Sequence, residues 1–117
     1  MAEPLTLDDP EDLKIVGLAR ATRARTHAVE GACVRDTDGR TYAAAAVDLP
    51  SLTLSSLQVA VAMAASSGAQ GLEAAAMVTD RAGPSEADLA AVRDLGGTGV
   101  TILVAAADGS VSDRVST

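Results

Sequence analysis

Two uninterrupted apolar segments constrain the fold of this chain more than any other feature. Residues 72–79 and 100–105 are apolar almost throughout and lack the alternation of a half-exposed strand. Strands of this kind are typical of a sheet that is covered on both faces. Residues 85–95 lie between them and predict a helix that ends at Gly96-Gly97. We therefore expect a sheet with helices on both of its faces.

The remaining segments predict three further strands and two further helices. Asp9 and Pro10 are typical of a helix start, and this helix is expected to run to about Arg25 and to bury Leu13 and Val16. The other expected elements are strands at residues 29–35, 40–48 and 110–115, and a helix that is capped by Ser51 or Thr53 and reaches Ser66. An Asp-Gly turn at residues 36–39 joins the first two strands.

This order of elements, α-β-β-α-β-α-β-β, predicts the fold class. It favours an α/β fold, a three-layer α-β-α sandwich with a mixed five-stranded sheet. A chain of 117 residues has the length of one domain. We expect a flexible N-terminus at residues 1–8 and a single domain at residues 9–117.

The apolar residues are mostly small, which affects how stability can be reached. Apolar residues make up 48% of the chain, but there is no Phe or Trp and a single tyrosine, Tyr42. Small side chains bury less area per residue, so association with other copies is a natural source of extra stability. Residues 59–65 are apolar nearly all round a predicted helix, which indicates that more than one side is buried. We expect a homo-oligomer, either a dimer or a tetramer.

Charge and cysteine content argue against several classes of partner. A formal net charge of −7 disfavours nucleic acid, which is bound by clustered basic residues. Arg20, Arg23 and Arg25 do cluster near a predicted helix end, where they offset the helix dipole; phosphate binding is the alternative. A signal peptide pattern and a long apolar segment are both missing, so we expect no membrane association. The single cysteine, Cys33, fits a reducing compartment, and we expect a cytoplasmic protein.

Two short segments at predicted helix starts resemble parts of a known family. They are Thr53-Leu54-Ser55-Ser56-Leu57-Gln58-Val59-Ala60 and Pro84-Ser85-Glu86-Ala87-Asp88-Leu89, about thirty residues apart across a predicted strand. Their spacing resembles the zinc site of the cytidine deaminase family, where Cys-Ala-Glu or His-Ala-Glu opens one helix and Pro-Cys-x-x-Cys opens the next. Shorter segments resemble the family's first strand, hairpin turn, nucleoside clamp and late turn: Gly31-Ala32-Cys33-Val34, Asp38-Gly39-Arg40, Val47-Asp48 and Asp108-Gly109.

The resemblance implies the cytidine deaminase-like fold and a zinc cofactor, but the residues depart from the family where its chemistry lies. It places the metal ligands on Ser55, Ser85 and Asp88 and the catalytic glutamate on Leu57. Serine hydroxyls are poor zinc ligands, and leucine cannot carry a proton. Hydrolytic deamination needs both a metal-activated water and a proton carrier. We therefore expect a degenerate member of the family with no zinc, no other cofactor and no deaminase activity.

The residues at these positions also have local structural roles. Ser85 and Asp88 have the spacing of a capping box, in which each side chain bonds to the other residue's backbone N–H. Ser55 and Ser56 lie in a first helical turn, where hydroxyls satisfy free N–H groups. Leu57 is expected to fill volume that a substrate or metal would occupy in the family.

Three functions remain open at this point. The first is an inactive relative of cytidine deaminase with a structural or interaction role. The second is binding of a small ligand in a polar pocket near the helix N-termini, formed by Ala46, Asp48, Ser55, Ser56 and Ser85. In this pocket Ala46 and Asp48 replace the asparagine and glutamate of the family's nucleoside clamp. The third is an active nucleoside (cytidine) deaminase, or another hydrolase, with a non-standard site.

Two further residues are reactive in other proteins and are expected to be structural here. Cys33 has apolar neighbours on its strand and is expected to be a small buried side chain. His27 lies near a helix end, before that strand, and is expected at the surface or in a cap. A nucleophile with a base within hydrogen-bonding reach is therefore not expected from this pair.

Overall fold

The order of the helices and of the five strands in the main sheet agrees with the sequence-based prediction. The computed structural model describes residues 5–117. Its helices are α1 (Pro10–Thr26), α2 (Ser56–Ser66) and α3 (Glu86–Gly96). Its strands are β1 (Gly31–Asp36), β2 (Thr41–Ala45), β3 (Val47–Leu49), β4 (Leu52–Leu54), β5 (Leu72–Val78), β6 (Thr101–Ala105) and β7 (Val111–Ser116). None of the helices in these residues is long and apolar enough to cross a membrane.

The main sheet is mixed and has five strands in the order β2-β1-β5-β6-β7. The two central apolar strands, β5 and β6, are parallel, and α3 connects them. All other neighbours in this sheet are antiparallel. The predicted five-stranded α/β fold is confirmed, and the carboxyl ends of β5 and β6 lie at the same edge of the sheet.

Both faces of the sheet are covered, which explains the missing alternation in its central strands. On one face, Ala75 and Met77 of β5 belong to a core cluster with Leu57 and Ala60 of α2 and Val92 of α3. The opposite face belongs to a second cluster, formed by Ala74, Ala76 and Val78 of β5 with Ile15 and Ala19 of α1. Every side chain of a doubly covered strand faces a helix layer, so the strand is apolar at consecutive positions.

Helix α1 lies unusually close to the first strand, and Gly31 permits this. A Cβ atom at Gly31 would lie 2.2 Å from the carbonyl oxygen of Ala19 and 2.9 Å from the Cβ of Arg23. Both are far inside van der Waals contact, so only glycine fits here without a shift of the helix. Gly17, on the outer side of the same helix, would meet nothing within 4 Å. A side chain at position 31 would therefore clash with α1, whereas a side chain at position 17 would have free space.

Several element boundaries differ from the prediction. The expected strand at residues 40–48 ends at Ala45, and a separate two-stranded sheet of β3 and β4 follows, with Asp48 opposite Thr53. Helix α2 is capped by Ser55, so Ser51 and Thr53 were the wrong caps. The reason is that the Ser55 and Gln58 side chains complete a reciprocal capping box, whereas residues 52–54 pair as a strand.

In the N-terminal part of the chain, one residue that was expected to be buried is exposed. Val16 is buried in α1 as expected, but Leu13 is 53% exposed, and Ile15, Ala19 and Thr22 face the sheet instead. Of the expected flexible segment at residues 1–8, residues 1–4 lie outside the described residues. Leu5 donates its backbone N–H to the carbonyl of Val111 at 2.7 Å. A domain boundary at residue 9 stays a prediction.

Candidate functional site

The starts of α2 and α3 lie side by side and are both closed by capping boxes. The hydroxyl of Ser55 accepts from the Gln58 backbone N–H at 3.1 Å, and the Ser55 N–H donates to the Gln58 side chain at 2.9 Å. In the same way, Ser85 Oγ accepts from the Asp88 N–H at 3.1 Å, and the Ser85 N–H donates to Asp88 Oδ2 at 2.9 Å. The capping box that the sequence predicts at Ser85 and Asp88 is confirmed.

The two helix starts are connected through Asp88. Ser55 Oγ donates a hydrogen bond to Asp88 Oδ1, which joins the beginning of α2 to the first turn of α3. The Asp88 residue is 1% exposed. The structure therefore brings together Ser55, Ser85 and Asp88, the three positions that the family resemblance assigns to metal ligands, and connects them by hydrogen bonds.

An arginine that the sequence analysis missed completes this cluster. Arg81 follows β5, and its Nη2 donates to Asp88 Oδ2 at 3.3 Å, while its Nε donates to Glu30 Oε2 at 2.5 Å. The hydroxyl of Thr79 donates to the same Glu30 oxygen at 2.8 Å, and it accepts from the Arg81 backbone N–H at 3.0 Å. The Arg81 guanidinium thus bridges two buried carboxylates, Glu30 and Asp88.

Electrostatics favour the ionised forms of Arg81 and Asp88. Burial acts to raise the pKa of Asp88, but hydrogen bonds from Ser55, Ser85 and Arg81 outweigh it and hold this pKa below its usual value. The hydrogen bond to Glu30 raises the pKa of Arg81 above its ordinary value, aided by its contact with Asp88. The contact between Arg81 and Asp88 therefore stabilises the charged forms of both side chains.

This donor set does not fit a zinc ion. Both serine hydroxyls are engaged in caps, and Asp88 is the single ionisable group among the three ligand positions. A guanidinium 3.3 Å from that carboxylate would repel a divalent cation. Within residues 5–117, no group of three or more His, Cys, Asp or Glu side chains is arranged to hold a metal. The chemistry of this arrangement is that of a charge-assisted hydrogen-bond network.

Leu57 and Ser56 occupy the interior next to this network. Leu57 is 0% exposed and belongs to the core cluster between the sheet and α2. Ser56 is also 0% exposed, and its hydroxyl has no hydrogen-bond partner among the described residues. The position that the resemblance assigns to a catalytic glutamate is thus part of the apolar core.

A cavity of about 400 Å³ opens beside the network. It is lined by Val29, Glu30, Thr79, Asp80 and Arg81. These residues precede β1 or follow β5, so the cavity lies at the carboxyl end of a parallel strand. In open α/β sheets, ligands bind in crevices at this edge.

The predicted pocket residues are only partly brought together. Ser55 and Ser85 both contact Asp88, and the backbone N–H of Ala46 donates to the carbonyl of Glu30 at 3.4 Å. Asp48 instead lies on β3, where it is exposed and accepts from the hydroxyl of Thr53 at 3.5 Å. The cavity is lined by residues other than those five, and no sequence pattern marks Glu30 and Arg81 as partners.

Cys33 and His27 have the surroundings expected for structural residues. Cys33 is 0% exposed on β1, and burial raises the pKa of its thiol to about 11. A thiol with so high a pKa is almost entirely protonated at neutral pH and is a poor nucleophile. His27 is exposed and ends α1 in a left-handed conformation, with φ of 55°.

Comparisons with known proteins agree with this architecture. A family model described as cytidine deaminase-like matches residues 8–109. Among solved structures, a cytidine deaminase from Burkholderia pseudomallei is similar with a TM-score of 0.77 and 21% identity, covering 88% of this chain and 90% of that chain. A cytidine deaminase from Mycobacterium leprae gives 0.70 and 21%, covering 89% and 92%. One from Mycobacterium tuberculosis gives 0.69 and 24%, covering 80% and 85%. No curated protein sequence matches.

Proposed function

Because the chain belongs to the cytidine deaminase-like family, we propose that it keeps this fold without zinc-dependent hydrolysis and acts as a structural, interaction or small-ligand-binding protein. The proposal extends to its assembly and location: the protein is a homo-oligomer in the cytoplasm. Exposed apolar side chains on β3, β4 and α2, namely Leu49, Leu52 and Met63, support association with further copies.

The observation that carries the proposal is the position of Arg81. Its guanidinium bonds to Asp88 and Glu30, so a positive charge of the protein itself neutralises the carboxylate at a ligand position. Hydrolytic deamination needs an activated water and a group that moves protons between water and base. Leu57 offers no such group, and the hydroxyls of Ser55 and Ser85 are committed to helix caps.

The cavity beside Arg81 supports a ligand-binding role. Its volume of about 400 Å³ lies in the range of small-molecule sites. Polar groups of Glu30, Thr79 and Arg81 line it together with the exposed side chain of Val29.

Metal content and turnover test the loss of hydrolysis. We expect no stoichiometric zinc in protein purified without chelators and no ammonia release from cytidine or deoxycytidine. Elemental analysis and a coupled ammonia assay measure these, with an active cytidine deaminase as the positive control. Stoichiometric zinc together with ammonia release would overturn the proposal in favour of an active deaminase with non-standard ligands.

Thermal unfolding separates a ligand-binding role from a structural one. A nucleoside or other metabolite that binds only the native state raises the melting temperature in a saturable manner. For binding in the cavity, this rise should be lost in Arg81→Gln and kept in Arg93→Gln, an exposed arginine at the end of α3. If a broad metabolite panel gives no saturable rise, the structural or interaction role is favoured.

A further inference from the structure

A second cavity lies on the α1 side of the molecule and has a different chemistry. It has a volume of about 430 Å³ and is lined by Arg20, Arg23, Ala24, His27, Ala28 and Ala107. None of these lining residues is acidic, although the whole chain carries a formal charge of −7. Two arginines and a histidine therefore surround a cavity in an otherwise acidic protein.

Arg23 has a hydrogen-bonding group that the protein leaves unsatisfied. Its Nε donates to the carbonyl of Ala28 at 3.4 Å, and its Nη2 donates to Asp80 at 3.1 Å. Its Nη1 is buried and has no partner among the described residues. A buried guanidinium N–H without an acceptor is costly, so the described residues leave the hydrogen bonding of Arg23 incomplete.

Arg20 is held in place with its outer N–H groups free. Its Nε donates to the carbonyl of Ala107 at 3.0 Å, and its side chain lies against Gly109. Within residues 5–117, the Nη groups of Arg20 have no protein acceptor. Two carboxylates face this region. Asp80 pairs with Arg23. Asp108 Oδ1 accepts from the hydroxyl of Ser110 at 2.6 Å and from its backbone N–H at 2.8 Å. The ion pair with Asp80 offsets the charge of Arg23. Hydrogen bonds from Ser110 and the charge of Arg20 lower the pKa of Asp108, so the free Nη groups of Arg20 are the donors that remain for a ligand.

We propose that this second cavity binds the oxyanion group, phosphate or carboxylate, of a small molecule. Guanidinium groups recognise both anions through pairs of parallel N–H···O hydrogen bonds. The volume exceeds that of an isolated oxyanion, so the rest of a metabolite also fits. The dipole role expected for these arginines fits Arg23, in the last turn of α1, but not Arg20, which lies before that turn. It requires neither the cavity nor the unsatisfied Nη1. This inference does not depend on the proposed function.

Thermal unfolding with inorganic phosphate, acetate and chloride at equal ionic strength tests the proposal. We expect a saturable rise in melting temperature with phosphate or acetate beyond the effect of chloride, and the more effective anion identifies the preferred group. Arg20→Gln should raise the dissociation constant about tenfold, because it removes charged hydrogen bonds to the anion. Arg25→Gln removes the same charge from the same helix, outside the cavity, and should leave the dissociation constant unchanged.

The location of binding provides a second readout. In ¹⁵N-labelled protein, the anion should shift the backbone amide signals of Ala28 and Ala107, and signals near Ser55 and Ser85 should stay in place. Three results would overturn the proposal. The first is an equal rise in melting temperature with all three anions. The second is an equal increase of the dissociation constant in Arg20→Gln and Arg25→Gln, and the third is amide shifts confined to the starts of α2 and α3.

Discussion

Replacement of Arg81 tests whether the buried ionic network stabilises the fold. Arg81→Gln keeps much of the side-chain length but removes the positive charge between Glu30 and Asp88. These carboxylates are 5% and 1% exposed, so they would lose their cation in a poorly hydrated environment. Asp88 would keep its bonds from Ser55 and Ser85, and Glu30 would keep its bond from Thr79.

The size of the effect follows from the burial of the three groups. Removing one partner of a fully buried ion pair costs about 3–5 kcal/mol. The Arg81 side chain is 46% exposed, so water already screens the pair and can partly replace the guanidinium. With the remaining hydrogen bonds in place, we expect a loss of about 2 kcal/mol in the free energy of unfolding.

Urea unfolding measures this loss. A change of this size lowers the midpoint by about 1 M urea for a small domain. Arg93→Gln is the matched control because Arg93 is exposed in the last turn of α3, where it should contribute about 0.5 kcal/mol. A double-mutant cycle with Glu30→Gln should give a coupling energy of about 1 kcal/mol or more.

Two results would refute this reasoning. If Arg81→Gln costs no more than Arg93→Gln, the network does not stabilise the fold. If the effects of Arg81→Gln and Glu30→Gln are additive, the contact between the two side chains has no energetic weight, and the carboxylates are hydrated or protonated in solution.

Four further predictions follow from the same structure. Gly31→Ala should cost about 1–3 kcal/mol by forcing α1 from the sheet, whereas Gly17→Ala should stabilise by about 0.5–1 kcal/mol; similar unfolding curves would contradict the close packing. The lowered pKa of Asp88 means that its contribution is present above its ordinary pKa of 3.8 and is lost as the pH falls through the folded-state value. Urea unfolding at pH 7 and pH 3 should therefore show less acid destabilisation in Asp88→Asn than in wild type, and equal pH dependence would count against this. Leu57→Glu should cost about 3–5 kcal/mol without creating deaminase activity, and Leu57→Met less than about 1.5 kcal/mol; a stable or active Glu variant would disprove the apolar assignment. Light scattering at micromolar concentration should give the mass of a dimer or tetramer, and a monomer mass would contradict the proposed association.

Contacts between residues close in the sequence were largely predictable. Asp9 and Pro10 begin α1, and Ser85 with Asp88 caps α3, because these patterns act within one turn of a helix. The cap of α2 was predicted wrongly because Ser51, Thr53 and Ser55 can each cap a helix. Because residues 52–54 pair with β3 as a strand, the helix begins only after them and Ser55 is its cap. Strand pairing involves residues outside the short segment that a capping pattern covers.

The sequence by itself determined the α/β fold, because doubly covered strands and amphipathic or capped helices leave their marks in consecutive residues. The resemblance also predicts that Ser55, Leu57, Ser85 and Asp88 stand where the family has its zinc ligands and catalytic glutamate. Only the tertiary structure decided what surrounds them. Arg81 bridges Glu30 and Asp88 across separations of 51 and 7 residues. No periodic pattern in the sequence predicts such a bridge, because it depends on the strand order and on how closely the helices approach the sheet.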